Sequence, residues 1–589
     1  MKGENKHMLG MKSAKIGKLV VAGALTLATA FSIDKPIEKA GWSPPDVVKR
    51  CAAASPAVFD IDYDGKLELF TGGGIRDSTG AVLAEAFAVK PDGQLLPNWP
   101  VELPGGYRLG SVASVGDVTG DYKEEIVIPV DRNGKIYVVS GEGNLLPGWP
   151  VDLVPSGFES EIQWRPAALG DLDGDGKLEV VLGIDIKNDN QKGGVYALKG
   201  DGTPVAGWPV TLPNGDGDKG VRGAMALGDL DGDGAIDVVV PGKDGSVYAF
   251  KGNGTLLWAT PTDAPIGSSP VVGDLDANGI EDVVVMNSAA KLYALKGNDG
   301  SVMPGFPLQL GEGTRLVTDR DSEIGVTLAD LDSTGELTIF ANEIRIDDNS
   351  EYDNKIYAIN PDGTSRTGWP VNISLKASLR VAPTILDADG DGKYDIFCGA
   401  PTKIYCFDED GVSQWQYPLT LMFSTLEINS PTFADLEKDG KTDMMVFGGE
   451  SKAFEFPNSV YRPEAMEWPM YRHDNQRTGN YHWGRPSAIR DEKSPVPTSY
   501  RLMQNYPNPF NPSTNVEFDL PKAGAVNLSV YNILGQKVRT LENGKFGPGH
   551  YKSAWDGSAE NGKAAPSGVY LLNLKVNDYS ATQKMLLAK

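Results

Sequence analysis

The chain has 589 residues, in which 79 Asp and Glu outnumber 55 Lys and Arg and give a formal net charge of −24 at pH 7. An acidic surface argues against nucleic acid or an anionic membrane as the partner, because both are polyanions. The 70 Gly and 40 Pro, together with 40% hydrophobic residues, are typical of a turn-rich all-β protein with a folded core.

The N-terminus has the pattern of an export signal. A basic stretch through Lys18 precedes the apolar run LVVAGALTLATAF over 19–31, and Ala28-Thr29-Ala30 is a small-residue cleavage site. The run of 13 residues is too short to span a bilayer. Residues 1–30 are therefore predicted to be a cleaved signal peptide, with an anchored helix as the alternative. This prediction implies a secreted or cell-surface protein with access to calcium and no membrane span after cleavage.

A short acidic loop of the form D-x-D-x-D-G-x-x-D/E occurs eight times, each copy followed by an apolar run. We number the copies by their first residue as loop 1 (Asp60), loop 2 (Asp117), loop 3 (Asp171), loop 4 (Asp229), loop 5 (Asp274), loop 6 (Asp330), loop 7 (Asp387) and loop 8 (Asp435). The starts lie 45 to 58 residues apart. A strand-rich repeat of this length indicates radial or solenoid repetition.

The segments between the loops contain strand signals and no sustained helical period. One strand recurs as KIYVVSGEGN at Lys135, GVYALKGDGT at Gly194, SVYAFKGNGT at Ser246, KLYALKGNDG at Lys291, KIYAINPDGT at Lys355 and KIYCFDEDG at Lys403. Closing phrases follow at Asn98, Gly148, Gly207, Gly305, Gly368 and Glu467, with weaker ones at Leu256 and Ser413. Four short strands per unit, repeated in a ring, predict a β-propeller. We interpret the Trp of each phrase as a blade-packing residue, with a sugar-stacking platform as the alternative.

The acidic loops are predicted to bind calcium, a hard cation that takes six to eight oxygen ligands. Positions 1, 3 and 5 would supply side-chain oxygens, position 7 a backbone carbonyl and position 9 a closing carboxylate, while Gly at position 6 permits the turn. An EF-hand is excluded, because its closing Glu lies at position 12 and its flanks are helices. Solvated Asp-Gly turns are the alternative for any single copy.

The predicted ligands of up to eight calcium ions differ from loop to loop. They are Asp60, Asp62, Asp64 and Glu68; Asp117, Asp121 and Glu125; Asp171, Asp173, Asp175 and Glu179; Asp229, Asp231, Asp233 and Asp237; Asp274, Asp276, Asn278 and Asp282; Asp330 and Asp332; Asp387, Asp389, Asp391 and Asp395; and Asp435, Glu437, Asp439 and Asp443. Loops 1, 3, 4 and 7 have acids at all four side-chain positions and should bind best. Loops 2 and 6, with Thr119 and Tyr122 or Thr334 and Thr338 at key positions, are predicted to be weak or empty.

These phrases resemble the FG-GAP/VCBS family of β-propellers, whose calcium-loop repeats also occur in the integrin α-chain head. The resemblance covers residues 41–484, because loop, strand and spacing recur together there. Integrin-type members have seven blades. The eight loops here favour eight blades, with seven as the alternative.

The last ninety residues differ in composition. A polar linker over 485–500 precedes a segment, 501–589, of alternating strands and Asn-Gly, Ser-Gly and Pro-Asn turns, which predicts a small Ig-like β-sandwich. The segments YPNPFNP at Tyr506, VYNILG at Val530, WDG at Trp555, SGVY at Ser567 and KML at Lys584 resemble the type A sorting domain of the type IX secretion system, which is similar to the Ig-like domain of the flagellar hook-capping protein. The resemblance implies export through that machinery; a plain Ig-like spacer is the alternative.

The cysteines allow two interpretations. Cys398 and Cys406 lie on two predicted strands joined by a GAPTK turn, so they would form either a disulfide across the hairpin or two buried free thiols. Cys51 has no obvious partner.

The sequence offers little material for catalysis, and we assign no catalytic residue. After signal removal only His473, His482 and His550 remain, and no nucleophile elbow or phosphate-binding Gly loop is present. The first predicted function is a secreted or surface binding and adhesion protein for a glycan or protein ligand. The alternatives are a structural subunit of a surface layer or filament, and a calcium-dependent polysaccharide lyase or hydrolase. Specificity is predicted in the irregular inserts 155–165, 188–193, 213–222, 314–323 and 347–354.

Overall fold

The structure, a computed structural model, describes residues 36–39 and 42, most of 55–481 and most of 500–588. The longest stretches outside the description within those ranges are 77–81, 105–111, 155–165, 186–192, 214–219, 312–324, 347–351, 375–381 and 419–429. The predicted signal peptide, Cys51, His482, nearly all of the linker and most of the irregular inserts therefore lie outside the described residues. The chain divides into two compact units, Met1–Arg485 and Pro486–Lys589. Nowhere in the described residues is there a helix long and apolar enough to cross a membrane.

The described residues of the first unit form eight antiparallel sheets. The strands of the first four sheets are β2 (Ala57–Phe59), β3 (Glu68–Arg76), β4 (Val82–Val89) and β5 (Val101–Leu103); β6 (Ser114–Gly116), β7 (Glu125–Val130), β8 (Lys135–Ser140) and β9 (Val151–Asp152); β10 (Ala168–Gly170), β11 (Glu179–Ile184) and β12 (Gly194–Leu198); and β13 (Ala226–Gly228), β14 (Asp237–Pro241), β15 (Ser246–Lys251) and β16 (Leu256–Pro261). Each sheet is a meander in which consecutive strands pair.

The other four sheets repeat this order, except that the last borrows a strand from the N-terminus. Their strands are β17 (Val271–Gly273), β18 (Asp282–Met286), β19 (Lys291–Leu295) and β20 (Leu308–Gln309); β21 (Val326–Ala329), β22 (Thr338–Ile346), β23 (Tyr352–Ile359) and β24 (Val371–Ser374); β25 (Thr384–Leu386), β26 (Asp395–Ala400), β27 (Lys403–Asp408) and β28 (Ser413–Pro418); and β29 (Thr432–Ala434), β30 (Asp443–Val446), β31 (Lys452–Glu455) and β1 (Ile37–Glu38). Strand β1 lies upstream of residue 41, where the predicted propeller region begins.

Neighbouring sheets share apolar clusters, and the last sheet packs on the first. The cluster that contains Val58 and Phe87 of the first sheet also contains Met445 and Ala453 of the last. The sheets therefore form a closed ring, the predicted all-β propeller. Because each sheet lies between two others, both faces of the second strands are covered, and β7, β11, β14, β18 and β26 are buried along their whole length. The runs rich in Val and Ile in β7, β11, β14 and β18 are the sequence consequence of this burial.

In six of the sheets the Trp of the closing phrase packs against the next sheet. Six of these indoles are only 5–7% exposed: Trp99, Trp149, Trp208, Trp258, Trp369 and Trp415. Trp208 Nε1 donates to Gly252 O of the following sheet at 2.7 Å, and Trp149 Nε1 donates to Gly200 O at 2.8 Å. Gly207, at φ +90°, comes so close to the next sheet that a Cβ there would lie 2.0 Å from Asn253 O. The predicted packing role of these Trp residues is confirmed.

The phrase at Glu467 belongs to a different structure, and its interpretation as a blade-closing phrase was wrong. Residues 467–481, the central segment, bond to the innermost strands from inside the ring. Backbone amides that donate to the carbonyls of this segment are Leu169 N to Gln476 O (2.9 Å), Leu227 N to Thr478 O (3.0 Å), Val272 N to Gly479 O (3.0 Å), Ile385 N to Trp468 O (3.0 Å) and Phe433 N to Pro469 O (3.0 Å). The fourth place in the last sheet is filled by β1 instead.

Side chains of the central segment reach the three remaining sheets. Arg477, fully buried, donates from Nε to Ala113 O at 3.2 Å and from Nη2 to Ser55 O at 3.1 Å. Glu467 Oε2 accepts from Asp330 N at 2.8 Å. Arg472, also buried, donates to Pro270 O and Met225 O. The central segment thus contacts all eight sheets and fills the middle of the ring.

The cysteine geometry excludes the disulfide. Across β26 and β27, Cys398 lies opposite Tyr405, and Cys406 lies opposite Phe397. Because paired residues share a face and successive residues alternate, the two thiols point to opposite faces of the sheet. Both are buried and free, in different apolar clusters.

The second unit is an Ig-like sandwich of two sheets around one core. One sheet contains β32 (Arg501–Leu502), β33 (Thr514–Leu520) and β36 (Gly549–Trp555), and the other contains β35 (Lys537–Phe546), β34 (Gly524–Asn532), β37 (Gly568–Val576) and β38 (Tyr579–Leu587). Phe518 and Trp555 of the first sheet pack with Val530 and Leu572 of the second. Two of the segments that carry the resemblance meet here, because Asn508 Oδ1 accepts from Leu586 N at 2.7 Å.

Candidate functional site

The acidic loops all occupy the same place in their sheets. Each loop connects the innermost strand to the second strand, so all eight lie at one face of the ring. Position 9 is in every case the first residue of the second strand, as with Glu179 of β11 and Asp237 of β14. The closing acid is therefore fixed by the sheet ladder and buried, while positions 3 and 5 lie on the exposed turn.

A shared network of hydrogen bonds shapes the loops. In loop 3, Asp171 Oδ2 accepts from Gly176 N at 2.9 Å, and Asp175 Oδ1 accepts from Lys177 N at 3.0 Å. The Gly at position 6 has φ between 83° and 94° in seven of the loops, which is the left-handed region that other residues adopt at a cost. The D-x-D-x-D-G pattern thus predicts a turn whose backbone amides are satisfied by its own carboxylates.

In five loops the carboxylates of positions 1, 3 and 9 offer oxygens within 4.8 Å of one another. These triads are Asp60, Asp62 and Glu68; Asp171, Asp173 and Glu179; Asp229, Asp231 and Asp237; Asp274, Asp276 and Asp282; and Asp387, Asp389 and Asp395. Such spacing suits one cation bound by three carboxylates.

The triads contain buried oxygens that no protein group satisfies. Asp60 Oδ1, Glu68 Oε1 and Asp171 Oδ1 are enclosed and have no hydrogen-bond partner. The other oxygen of the closing acid is engaged, since Glu179 Oε2 accepts from Leu172 N at 2.7 Å. A buried carboxylate oxygen without a partner is costly, and a hard cation would satisfy it. These residues therefore fit calcium.

Burial and the neighbouring acids raise the pKa values of the closing acids. Burial first, then Asp62, raises the pKa of Glu68 to about 8. Burial also raises the pKa values of Glu179 and Asp237 to about 7 and that of Asp282 to about 6. Calcium binding must therefore displace protons from these acids near neutral pH.

The structure places the position-5 residues outside the triads. Asp64, Asp175, Asp233, Asn278 and Asp391 each accept from the amide of position 7, at 2.7 to 3.0 Å. An Asn performs this role as well as an Asp. Loop 5, ranked below the four full copies because of Asn278, therefore has the same triad as they have.

Loops 2 and 6 are arranged differently from the five triads. In loop 2 both oxygens of Glu125 face Thr119, whose Oγ1 and amide lie 3.4 and 3.3 Å from them. In loop 6 the closing position is Thr338, and Arg366 Nη1 donates to its Oγ1 at 2.9 Å. The predicted ligands Asp117, Asp121, Asp330 and Asp332 thus lie in loops without a close triad among the described residues.

In loop 8 a lysine ammonium group binds two of the predicted calcium ligands. Lys39, immediately after β1, donates from Nζ to Asp443 Oδ1 at 2.6 Å and also to Glu437. The loop's positions 3 and 9 are therefore bridged by an ammonium group. The predicted ligands Asp435 and Asp439 bond the turn, as Asp435 Oδ2 accepts from Gly440 N at 2.9 Å.

Sequence patterns did not reveal Lys39 or Arg366 as parts of loops. Lys39 precedes the repeat region, so no repeat pattern marks it. Arg366 replaces an apolar residue three positions before a closing Trp, and this departure from the repeat could have drawn attention to it.

Of the histidines, His473 is buried in the central segment, and its ring lies 5.0 Å from Trp468. Only the backbone of His550 is described.

The family comparisons agree with the repeats and the C-terminal unit. Residues 171–240, 229–285 and 387–446 match the FG-GAP-like repeat, and residues 508–580 match the FlgD Ig-like domain. No curated protein matches the chain.

Solved structures resemble the chain at low identity. Quinohemoprotein alcohol dehydrogenase from Comamonas testosteroni is 11% identical over 71% of this chain and 76% of that one, with a TM-score of 0.48. Saccharomyces cerevisiae Sqt1 is 13% identical over 72% and 99%, with a TM-score of 0.47, and the V. cholerae biofilm matrix protein Bap1 is 15% identical over 74% and 94%, with a TM-score of 0.37. The chain carries FG-GAP-like repeats in a β-propeller and a FlgD Ig-like domain at its C-terminus.

Proposed function

We propose that this protein is an eight-bladed, calcium-stabilised propeller that acts outside the cell as a binding or adhesion protein. The observation that carries the calcium assignment is the set of five triads, three of whose buried oxygens have no protein partner. In these five loops calcium would hold the exposed turn against the buried closing acid. It would thereby fix one whole face of the ring.

The ligand site is proposed on that face rather than in the middle of the ring. The central segment fills the middle, and its buried arginines are committed to backbone carbonyls. Beside loop 3 lies a pocket of about 300 Å³, lined by apolar Val118 and Leu146 and by charged Lys177, Lys199 and Asp201. A glycan or a protein loop offers both the hydroxyl or amide groups and the apolar patches that such a pocket accepts.

A glycan and matrix-protein array probed with and without calcium tests this function. Binding in calcium that disappears with chelator is the expected result. Release of reducing ends or unsaturated sugars from a bound glycan would instead support the polysaccharide-active alternative. Concentration-dependent assembly in calcium without any ligand would support the structural subunit.

Export by the type IX secretion system is proposed from the C-terminal unit, whose Ig-like fold contains the segments that resemble the type A sorting domain. Deleting residues from Tyr506 onward should retain the protein in the periplasm, while the full chain reaches the cell surface or the medium. Cell fractionation with an antibody against the propeller measures the distribution. Equal surface amounts of both proteins would refute the export proposal.

A further inference from the structure

Loop 8 differs from the five triad loops in the contacts of its closing acid. Asp443 is 1% exposed, and Lys39 Nζ lies 2.6 Å from its Oδ1 while also bonding to Glu437. Positions 3 and 9 are two of the three carboxylates that form each triad in the other loops. The ammonium group therefore occupies the place between the carboxylates where a cation would bind.

The lysines of the other loops are placed differently. Lys90, Lys199, Lys251 and Lys296 each contact the outer oxygen of position 3, at 2.5 to 3.3 Å, and their side chains are 31–39% exposed. No hydrogen bond or ion pair joins these four described lysines to their closing acids. Lys39, by contrast, is 11% exposed and contacts the closing acid directly. The four lysines thus leave the closing acids of their loops accessible to a cation, whereas Lys39 bridges the closing acid of loop 8 and Glu437.

The cross-strand neighbour of the closing acid supplies no cation in loop 8, as is also true of loop 7, where Asp395 lies opposite Asp408. In loop 4 Asp237 lies opposite Lys251, whereas in loop 8 Asp443 lies opposite Glu455. Lys441 forms an ion pair with Glu455 at 2.6 Å. Glu437 and Asp443 form theirs with Lys39. The residue that supplies the charge also closes the ring, since Ile37 pairs with Glu455 and Lys39 N donates to Ala453 O at 2.8 Å.

We propose that Lys39 is the resident cation of loop 8, taking the place that calcium has in the triad loops, so that closure of the ring by the N-terminal strand does not require calcium. The calcium comparison rests on the proposed function, whereas the closure itself rests only on the contacts of Lys39. The five triad loops would then make the stability of the propeller depend on the calcium of the medium. Loops 2 and 6 would form their turns with protein contacts alone. The closing sheet would stay paired in calcium-free surroundings.

The test compares the wild type with Lys39→Met, which keeps most of the apolar stem and removes the charge. Lys452→Met is the matched control, because Lys452 forms an ion pair with Glu38 at 3.1 Å across the same two strands but lies outside the loop. Hydrogen exchange of the 37–39 amides in chelator should be at least about tenfold faster in Lys39→Met than in the other two proteins. Calcium per chain, measured by equilibrium dialysis, should rise by one ion in Lys39→Met alone.

Equal exchange rates in Lys39→Met and the wild type would overturn the proposal. So would a lanthanide ion located by anomalous scattering at loop 8 of the wild type, or an unchanged calcium count in Lys39→Met when the other loops bind calcium. A wild type that binds no calcium at any loop would refute the proposed function. In that case the exchange rates would still decide whether Lys39 holds the closing strand.

Discussion

Removing calcium with a chelator should lower the melting temperature of the propeller by about 10 °C or more. With a dissociation constant of about 0.1 mM and about 2 mM calcium, each site stabilises the folded state by about 1.8 kcal/mol. The five triads together then contribute about 9 kcal/mol. This is comparable to the entire unfolding free energy of an ordinary domain, about 5–15 kcal/mol. Scanning calorimetry in calcium and in chelator measures the shift.

Variants of one loop separate a calcium effect from a general effect of the chelator. Asp173→Asn removes a partly exposed ligand of loop 3 and should abolish about a fifth of the calcium-dependent shift, since one of five triads is lost. Asp201→Asn changes an exposed acid outside the triads and should leave the shift unchanged. A melting temperature that does not respond to chelator would contradict calcium binding by the loops.

The same measurement should depend on pH in a defined direction. Without calcium, burial raises the pKa of Glu179 from 4.5 to about 7, so between these values the folded chain holds more protons than the unfolded chain. The stability of the calcium-free protein therefore falls as pH rises through this window. Calcium must displace those protons, so the gain in melting temperature on adding calcium should be larger at about pH 8 than at about pH 6.

The repeated parts of the fold were predictable because they carry their signal locally. A loop such as DLDGDGKLEV contains its own turn, its ligands and the first residue of the next strand, so its geometry follows from ten adjacent residues. The Trp of each GWP phrase recurs at one phase, which indicated packing, and the structure places these indoles between sheets.

The parts that the sequence did not reveal depend on contacts between distant residues. Arg477 bonds to carbonyls at Ser55 and Ala113, 422 and 364 residues away. Because those acceptors are backbone groups, no side-chain pattern marks them. Lys39 likewise meets Glu437 across 398 residues and lies before the first repeat. A repeat period identifies the sheets, but it does not identify the segments that close the ring and fill its middle.

Replacing Arg477 with Met should destabilise the propeller by about 3–5 kcal/mol even in saturating calcium. The guanidinium is fully buried and joins the first two sheets to the central segment through Ser55 O and Ala113 O. Its loss leaves buried carbonyls without these donors, at about 1–3 kcal/mol each, and methionine cannot replace them. Urea denaturation followed by Trp fluorescence measures the change in unfolding free energy.

The control for Arg477→Met is Lys393→Met, which removes a cation that is 65% exposed in the same unit and should change the unfolding free energy by less than about 0.5 kcal/mol. If Arg477→Met unfolds at the same urea concentration as the wild type, the central segment does not hold the ring together. The expected loss of unfolding free energy would instead mean that two independent sets of contacts hold the ring together. Calcium would fix the loops at one face, and the central segment would join all eight sheets from within, so that chelator and Arg477→Met lower stability additively.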